Sequence, residues 1–210
     1  MTRTVGTIAF LFLYLASTSA SAAEVSCAGV DPSASAPLKS VSTPPSTTCK
    51  PRVKKGYPVP DPTCTPGAVN PTLTLDVLTD HENFRTSCVR DGATSKTEKN
   101  GTYDWYKIKH PAKNVGKTQT CELDHLISIE LGGADTVDNI WPQCGPKGVV
   151  RDHRYFHQKD LVENWLAREV RAGRIELEAA QRGIASDWTQ FIARANKACK
   201  PKKCIGQKDS

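Results

Sequence analysis

The sequence predicts an α+β fold: a small core of one β-hairpin and the helix that follows it, extended by additional C-terminal helices and stabilised by disulfides. Three observations carry this. β-compatible segments flank the pair Gly132 and Gly133, apolar residues after Cys144 recur at helical offsets, and eight cysteines sit in a chain that opens on an export signal.

At the amino terminus, Arg3 precedes an apolar run from Thr7 to Ala16, followed by small residues up to Ala23. The run is too short to cross a bilayer as a mature helix, and Ala20, Ser21 and Ala22 are residues that a signal peptidase accepts. Residues 1–23 therefore read as a signal peptide, with a secreted or periplasmic mature chain and no membrane segment in it. Export exposes the cysteines at 27, 49, 64, 88, 121, 144, 199 and 204 to an oxidising compartment, where disulfides are the default. No C-x-x-C spacing occurs, which argues against structural zinc. Pairing of sequence neighbours is the simplest expectation: Cys64 with Cys88, Cys121 with Cys144, Cys27 with Cys49, and Cys199 with Cys204.

Residues 24–61 are rich in Pro, Ser and Thr, show no apolar period, and read as an arm or linker. Residues 62–198 form the expected domain, and 199–210 a basic tail. Within the domain, the stretch from Thr74 to Leu78 suits a short helical or extended piece. The segment from Tyr103 to Ile108 reads as a strand whose aromatics belong to the core. Glu122 to Glu130 and Asp138 to Gln143 are the two arms of a hairpin with a wide loop. Phe156, Leu161, Val162, Trp165, Leu166 and Val170 then mark a helix that Gly173 stops. A last helical region runs from about Glu176 to Lys197, with Leu177, Ile184, Trp188, Phe191 and Ile192 as its stripe.

The chain carries 28 Lys and Arg against 22 Asp and Glu, a formal charge of +6, or +5 once Arg3 leaves with the signal. A polyanionic partner is permitted by that charge but not specified by it. The hairpin is more informative. Hydrolysing a phosphodiester needs a positioned water, a base to deprotonate it and a cation to neutralise the crowded phosphate. Asp124 and His125 are an acidic ligand and an imidazole base in succession, and strand neighbours point to opposite faces, so both serve one site only if the chain bends there. Asn139, beyond the Gly132–Gly133 turn, offers an amide that can bond hairpin backbone and hold His125 in orientation.

Asp124-His125, Gly132-Gly133 and Asp138-Asn139-Ile140 together resemble the pattern of the HNH, or ββα-metal, endonucleases. With Cys64 to Ala68, Glu122 to Ile127, Trp141 to Gln143, Lys159, Asp160, Glu163 and Ala179 to Trp188, the chain is similar to an exported bacterial group bearing that domain, over roughly 61–197. The resemblance implies a metal-dependent endonuclease with a ββα-metal core. One divalent cation would be held by Asp124 and a ligand from the following helix, with His125 as general base and Asn139 as its support. Magnesium or manganese is favoured, and zinc or nickel also fits such sites.

The helical ligand departs from the family's common form, in which a histidine follows a Cys-x-x-Cys pair; here Cys144 stands alone. His157 is the first choice. His153, four residues earlier, shares a helical face with it. Asp160 and Glu163 are oxygen alternatives better suited to magnesium. Lys147, Arg151, Arg154 and Lys159 flank the site as candidate phosphate contacts. No base-reading motif is visible, so contact with nucleic acid, DNA rather than RNA, is expected to be to backbone and salt-dependent. Two other classes keep the hairpin without the chemistry: a catalytically inactive nucleic-acid-binding protein, and a disulfide-rich exported protein that binds a partner. An immunity or inhibitor protein is a partner the sequence leaves open.

Overall fold

A computed structural model describes residues 26–90, 94–112, 114–115, 118–145 and 155–199, the side chain of residue 155 excepted. The signal peptide, Lys147, Arg151, His153, Arg154 and Cys204 lie outside the described residues.

The Pro/Ser/Thr-rich segment is laid onto the domain and does not stand off it as a spacer. β1 (Ala36–Pro37) pairs antiparallel with β4 (Ala68–Val69), while β2 (Arg52–Lys54) and β3 (Tyr57–Val59) form a hairpin. Lys55 and Gly56 turn that hairpin with φ of 49° and 82°, the two positive values that match the twist of a two-residue turn. Cys49 and Val59 are buried, Pro58 O accepts from Trp188 Nε1 at 3.1 Å, and Cys49 N donates to Trp105 O at 2.9 Å. Apolar burial and two disulfides, Cys27–Cys88 and Cys49–Cys64, thus hold a segment whose composition alone offers no period.

Short helices follow: α1 (Leu75–Thr79), N-capped by Thr74, and α2 (Ser87–Arg90). Next comes α3 (Lys96–Trp105), where a strand was expected from Tyr103 onward. The helix wins because it is nucleated upstream of the aromatics, by a capping box in which Ser95 and Glu98 satisfy each other's backbone N–H. Tyr103 and Tyr106, three residues apart, then fall on one buried face, so their core assignment holds although the element type does not.

β5 (Cys121–His125) and β6 (Ile140–Cys144) pair antiparallel, Asp124 opposite Trp141 and His125 opposite Ile140. Between them the Gly132–Gly133 pair is required by geometry. Gly132 has φ of 76°, and a Cβ on Gly133 would lie 1.8 Å from Ile127 O. α4 (Tyr155–Arg171) packs Val162, Trp165, Leu166 and Val170 against Ile127 and Leu131 of the hairpin loop. α5 (Leu177–Asp187), a 3₁₀ turn (Trp188–Phe191) and α6 (Ile192–Ala198) close the same core with Ile184, Trp188 and Phe191. Gly173, φ 67°, ends α4 as its position after the apolar stripe suggests.

The disulfides correct the neighbour-pairing expectation. Cys121 does pair with Cys144, but Cys88 is bonded to Cys27 and Cys64 to Cys49. The arm folds back so that Cys27 docks beside α2, its N–H donating to Asn83 O, and proximity in the fold outweighs proximity in the chain. Cys199 is also disulfide-bonded, and the expected Cys199–Cys204 pair lies outside the described residues. No helix among the described residues is long and apolar enough to cross a membrane.

Candidate active site

β5 ends at His125, and the chain bends immediately, at residues 126–127. That bend gives two successive strand residues access to one cavity of about 250 Å³, which Asp124 and His125 both line. Glu122, two residues before Asp124 and so on the same strand face, lines it as well. α4 contributes Asp160 and Glu163, α2 contributes Arg90 and α3 contributes Lys99.

His125 is held from behind. Its Nε2 lies 2.8 Å from Oδ1 of Asp135, a fully buried carboxylate whose Oδ2 accepts from Lys99 Nζ at 2.7 Å. Burial would raise the Asp135 carboxyl, but the bonds from His125 and Lys99 outweigh it and keep Asp135 below its ordinary value, ionised and accepting only. Nε2 is therefore the protonated nitrogen, and the lone pair is on Nδ1. Burial pushes the imidazole below its ordinary pKa, partly offset by Asp135, so His125 is neutral at neutral pH and able to accept a proton.

Asp124 is fixed just as firmly. Trp141 Nε1 donates to its Oδ2 at 3.1 Å, and Lys159 Nζ pairs with the same oxygen at 2.9 Å. Oδ1 is left without a partner among the described residues. Lys159 also donates to His125 O at 2.8 Å and to Glu163 Oε1. Burial alone would depress this ammonium, but the Asp124 and Glu163 carboxylates outweigh it and hold its pKa above the ordinary value. Lys159 is thus not a surface phosphate contact, as the sequence suggested. It lies three residues after Phe156 and three before Val162, on the buried stripe of α4, and its side chain is fully enclosed.

Asn139 is wholly buried and does not line the cavity. Its Oδ1 accepts from Ile127 N at 3.0 Å, and its Nδ2 donates to Ile127 O at 2.9 Å and Ala134 O at 2.8 Å. It bolts the loop that carries Asp135 to the strand end that carries His125, a positioning role rather than contact with reacting atoms.

Of the helical candidates, Asp160 and Glu163 reach the cavity and His157 does not line it. His157 sits one position past the buried Phe156, with Nδ1 3.4 Å from Asp160 Oδ2. One helical turn before Asp160, His157 contacts that carboxylate and not the cavity.

The donor chemistry fits a hard divalent cation. Four carboxylates, Glu122, Asp124, Asp160 and Glu163, line one cavity, and burial with repulsion from Asp160 and Asp124 pushes Glu122 up to about 8. Glu163 is likewise raised, by burial first and then by Asp124 and Asp160, against the pull of Lys159. A bound cation relieves such repulsion, and an all-oxygen set suits magnesium or manganese. As they stand, no three His, Cys, Asp or Glu side chains among the described residues are gathered tightly enough to hold a metal.

Compared with protein families, with curated proteins and with solved structures, the chain matches none. The sequence reading had missed Glu122, Asp135, Lys99 and Arg90. Only Glu122 carried a usable signal, its two-residue spacing from Asp124; the others reach the site from loops and helices whose docking the sequence does not encode locally.

Proposed function

We propose that this protein is an exported, metal-dependent endonuclease of the HNH type that hydrolyses phosphodiester bonds, with DNA as the favoured substrate. The observation that supports it most is His125 on the wall of a carboxylate-lined cavity, its Nε2 held by a buried aspartate, which leaves the lone pair on Nδ1. In this reading Nδ1 takes a proton from a water that attacks phosphorus, and the bond to the departing 3′-oxygen breaks. Asp124, with Asp160 and Glu163 from α4, would hold the cation, and Glu122 extends the oxygen set. When bound, the cation supplies charge neutralisation at the phosphate and the leaving oxygen. Asp135 keeps the imidazole in the productive tautomer, Asn139 holds the loop that brings Asp135 there, and Lys159 with Trp141 points Asp124.

The test is incubation of the disulfide-intact mature chain with plasmid under magnesium, manganese, nickel or zinc, beside EDTA. Metal-dependent cutting is expected, lost in EDTA and reduced by about 10²–10⁴-fold in His125→Ala, the usual contribution of a positioned base. No cutting under any cation overturns the proposal. The Lys159 ammonium that bridges Asp124 and Glu163 favours one other reading, a nucleic-acid-binding protein that keeps the hairpin without cutting; a gel shift without cleavage is its signature.

A further inference from the structure

A second cavity, of about 230 Å³, adjoins the first and shares Arg90, Ser128, Ile129, Asp160 and Glu163 with it, reaching on to Glu130 and Asn164. The two form one trough past His125 and along α4. Its cations are not equally available. The Lys99 ammonium is bonded to Asp135, whereas the exposed Arg90 guanidinium has no ion pair among the described residues; Lys159, bonded to Asp124 and Glu163, is enclosed and does not line the trough. Ser128, which lines both cavities with it, is buried at 8% exposure, and its Oγ has no hydrogen-bond partner among the described residues. Ser128 occupies the N-cap position of the 3₁₀ turn Ile129–Leu131, yet its hydroxyl makes no cap bond. A guanidinium and a hydroxyl that line one trough, both without a partner among the described residues, are a donor set for a tetrahedral anion. The guanidinium's planar fork matches two phosphate oxygens.

We propose that Arg90, together with the Ser128 hydroxyl, seats a backbone phosphate of the nucleic-acid substrate next to the one that is cut. This rests on the nuclease reading for the identity of the polymer, but it assigns a binding position that the resemblance does not. The trough also imposes an order. Five carboxylates, Glu122, Asp124, Glu130, Asp160 and Glu163, line it against one cation that has no ion pair among the described residues, so an entering phosphate is repelled until a divalent cation has neutralised part of that charge. The grip of Arg90 on phosphate is therefore expressed only with the divalent cation present.

The experiment uses the full disulfide-intact mature chain carrying His125→Ala, so that nothing is cut, and reads fluorescence anisotropy of a short labelled DNA duplex with a matched RNA in parallel. With magnesium or manganese, Arg90→Ala is expected to weaken binding by about tenfold or more and to lower the slope of log affinity against log salt by about one. Arg90→Lys should retain the slope, and Ser128→Ala should give a smaller loss. Without divalent cation the Arg90→Ala effect should vanish. Near-ultraviolet circular dichroism confirms that each variant is folded. Equal affinity and equal slope for parent and Arg90→Ala overturns the proposal even if the native chain cuts. An Arg90-dependent slope in a native chain that never cuts sustains the phosphate seat at Arg90 and overturns the nuclease reading, and with it the neighbouring scissile phosphate.

Discussion

The carboxyl of Glu122 shows how much the site depends on its surroundings. Two residues from Asp124 on the same strand face, it is pushed up to about 8 by burial and by the charges of Asp160 and Asp124. In the unfolded chain it titrates near the ordinary glutamate value, so between those two values the folded state keeps a proton that the unfolded state has lost. Stability therefore falls as pH rises through that window. His125, held below its ordinary value, works in the opposite sense but only below the usual imidazole range. From about pH 7 to 8 the carboxylate effect stands without it. Thermal unfolding across that interval should show a falling midpoint for the native chain and a flatter profile for Glu122→Gln; identical slopes would remove the argument. At this scale the sequence was legible where neighbours in the chain are neighbours in the site, as for Asp124 and His125. It was silent where a partner arrives from elsewhere: Asp135 reaches His125 across the wide hairpin loop, and Lys159 looked like a solvated helix charge until the phase of α4 buried it.

Among the elements, the hairpin and α4 make the site, and the wide loop between β5 and β6 joins them. Asn139 secures this loop, bonding Ile127 N, Ile127 O and Ala134 O, all of them buried. Truncation to Ala strands those backbone groups at about 1–3 kcal/mol each, so Asn139→Ala should lose about 3 kcal/mol or more in denaturant unfolding and loosen the Asp135–His125 contact. A loss below about 1 kcal/mol would mean that the loop holds without it. The elements themselves were unevenly readable. α4 and its stop at Gly173 follow from a long apolar period, and the hairpin from its glycine pair. α3 was misread as a strand because alternating aromatics weigh less than the Ser95–Glu98 capping box that starts the helix.

For the whole molecule, the decisive feature is the arm that composition marks as a spacer. Cys27–Cys88 closes a separation of 61 residues and ties that arm to α2, whose last residue is Arg90. By loop-closure entropy such a link is worth about 4 kcal/mol. The double substitution Cys27→Ala with Cys88→Ala should lower the unfolding free energy by roughly that amount, and an unchanged melting profile would show the arm to be held by packing alone. By itself the sequence determined the α+β class, the hairpin with its glycine turn, the helices after it, the Asp124–His125–Asn139 constellation and the Cys121–Cys144 pair, because each is encoded in short-range spacing or a local steric need. Only the tertiary structure decided the other disulfide partners, the burial of Lys159, which of Asp160, Glu163 and His157 line the cavity, and the arrival of Asp135, Lys99 and Arg90. Those contacts join segments distant in the chain, and which of them form depends on how the faces of the helices, the arm and the hairpin loop bury their apolar surface against one another.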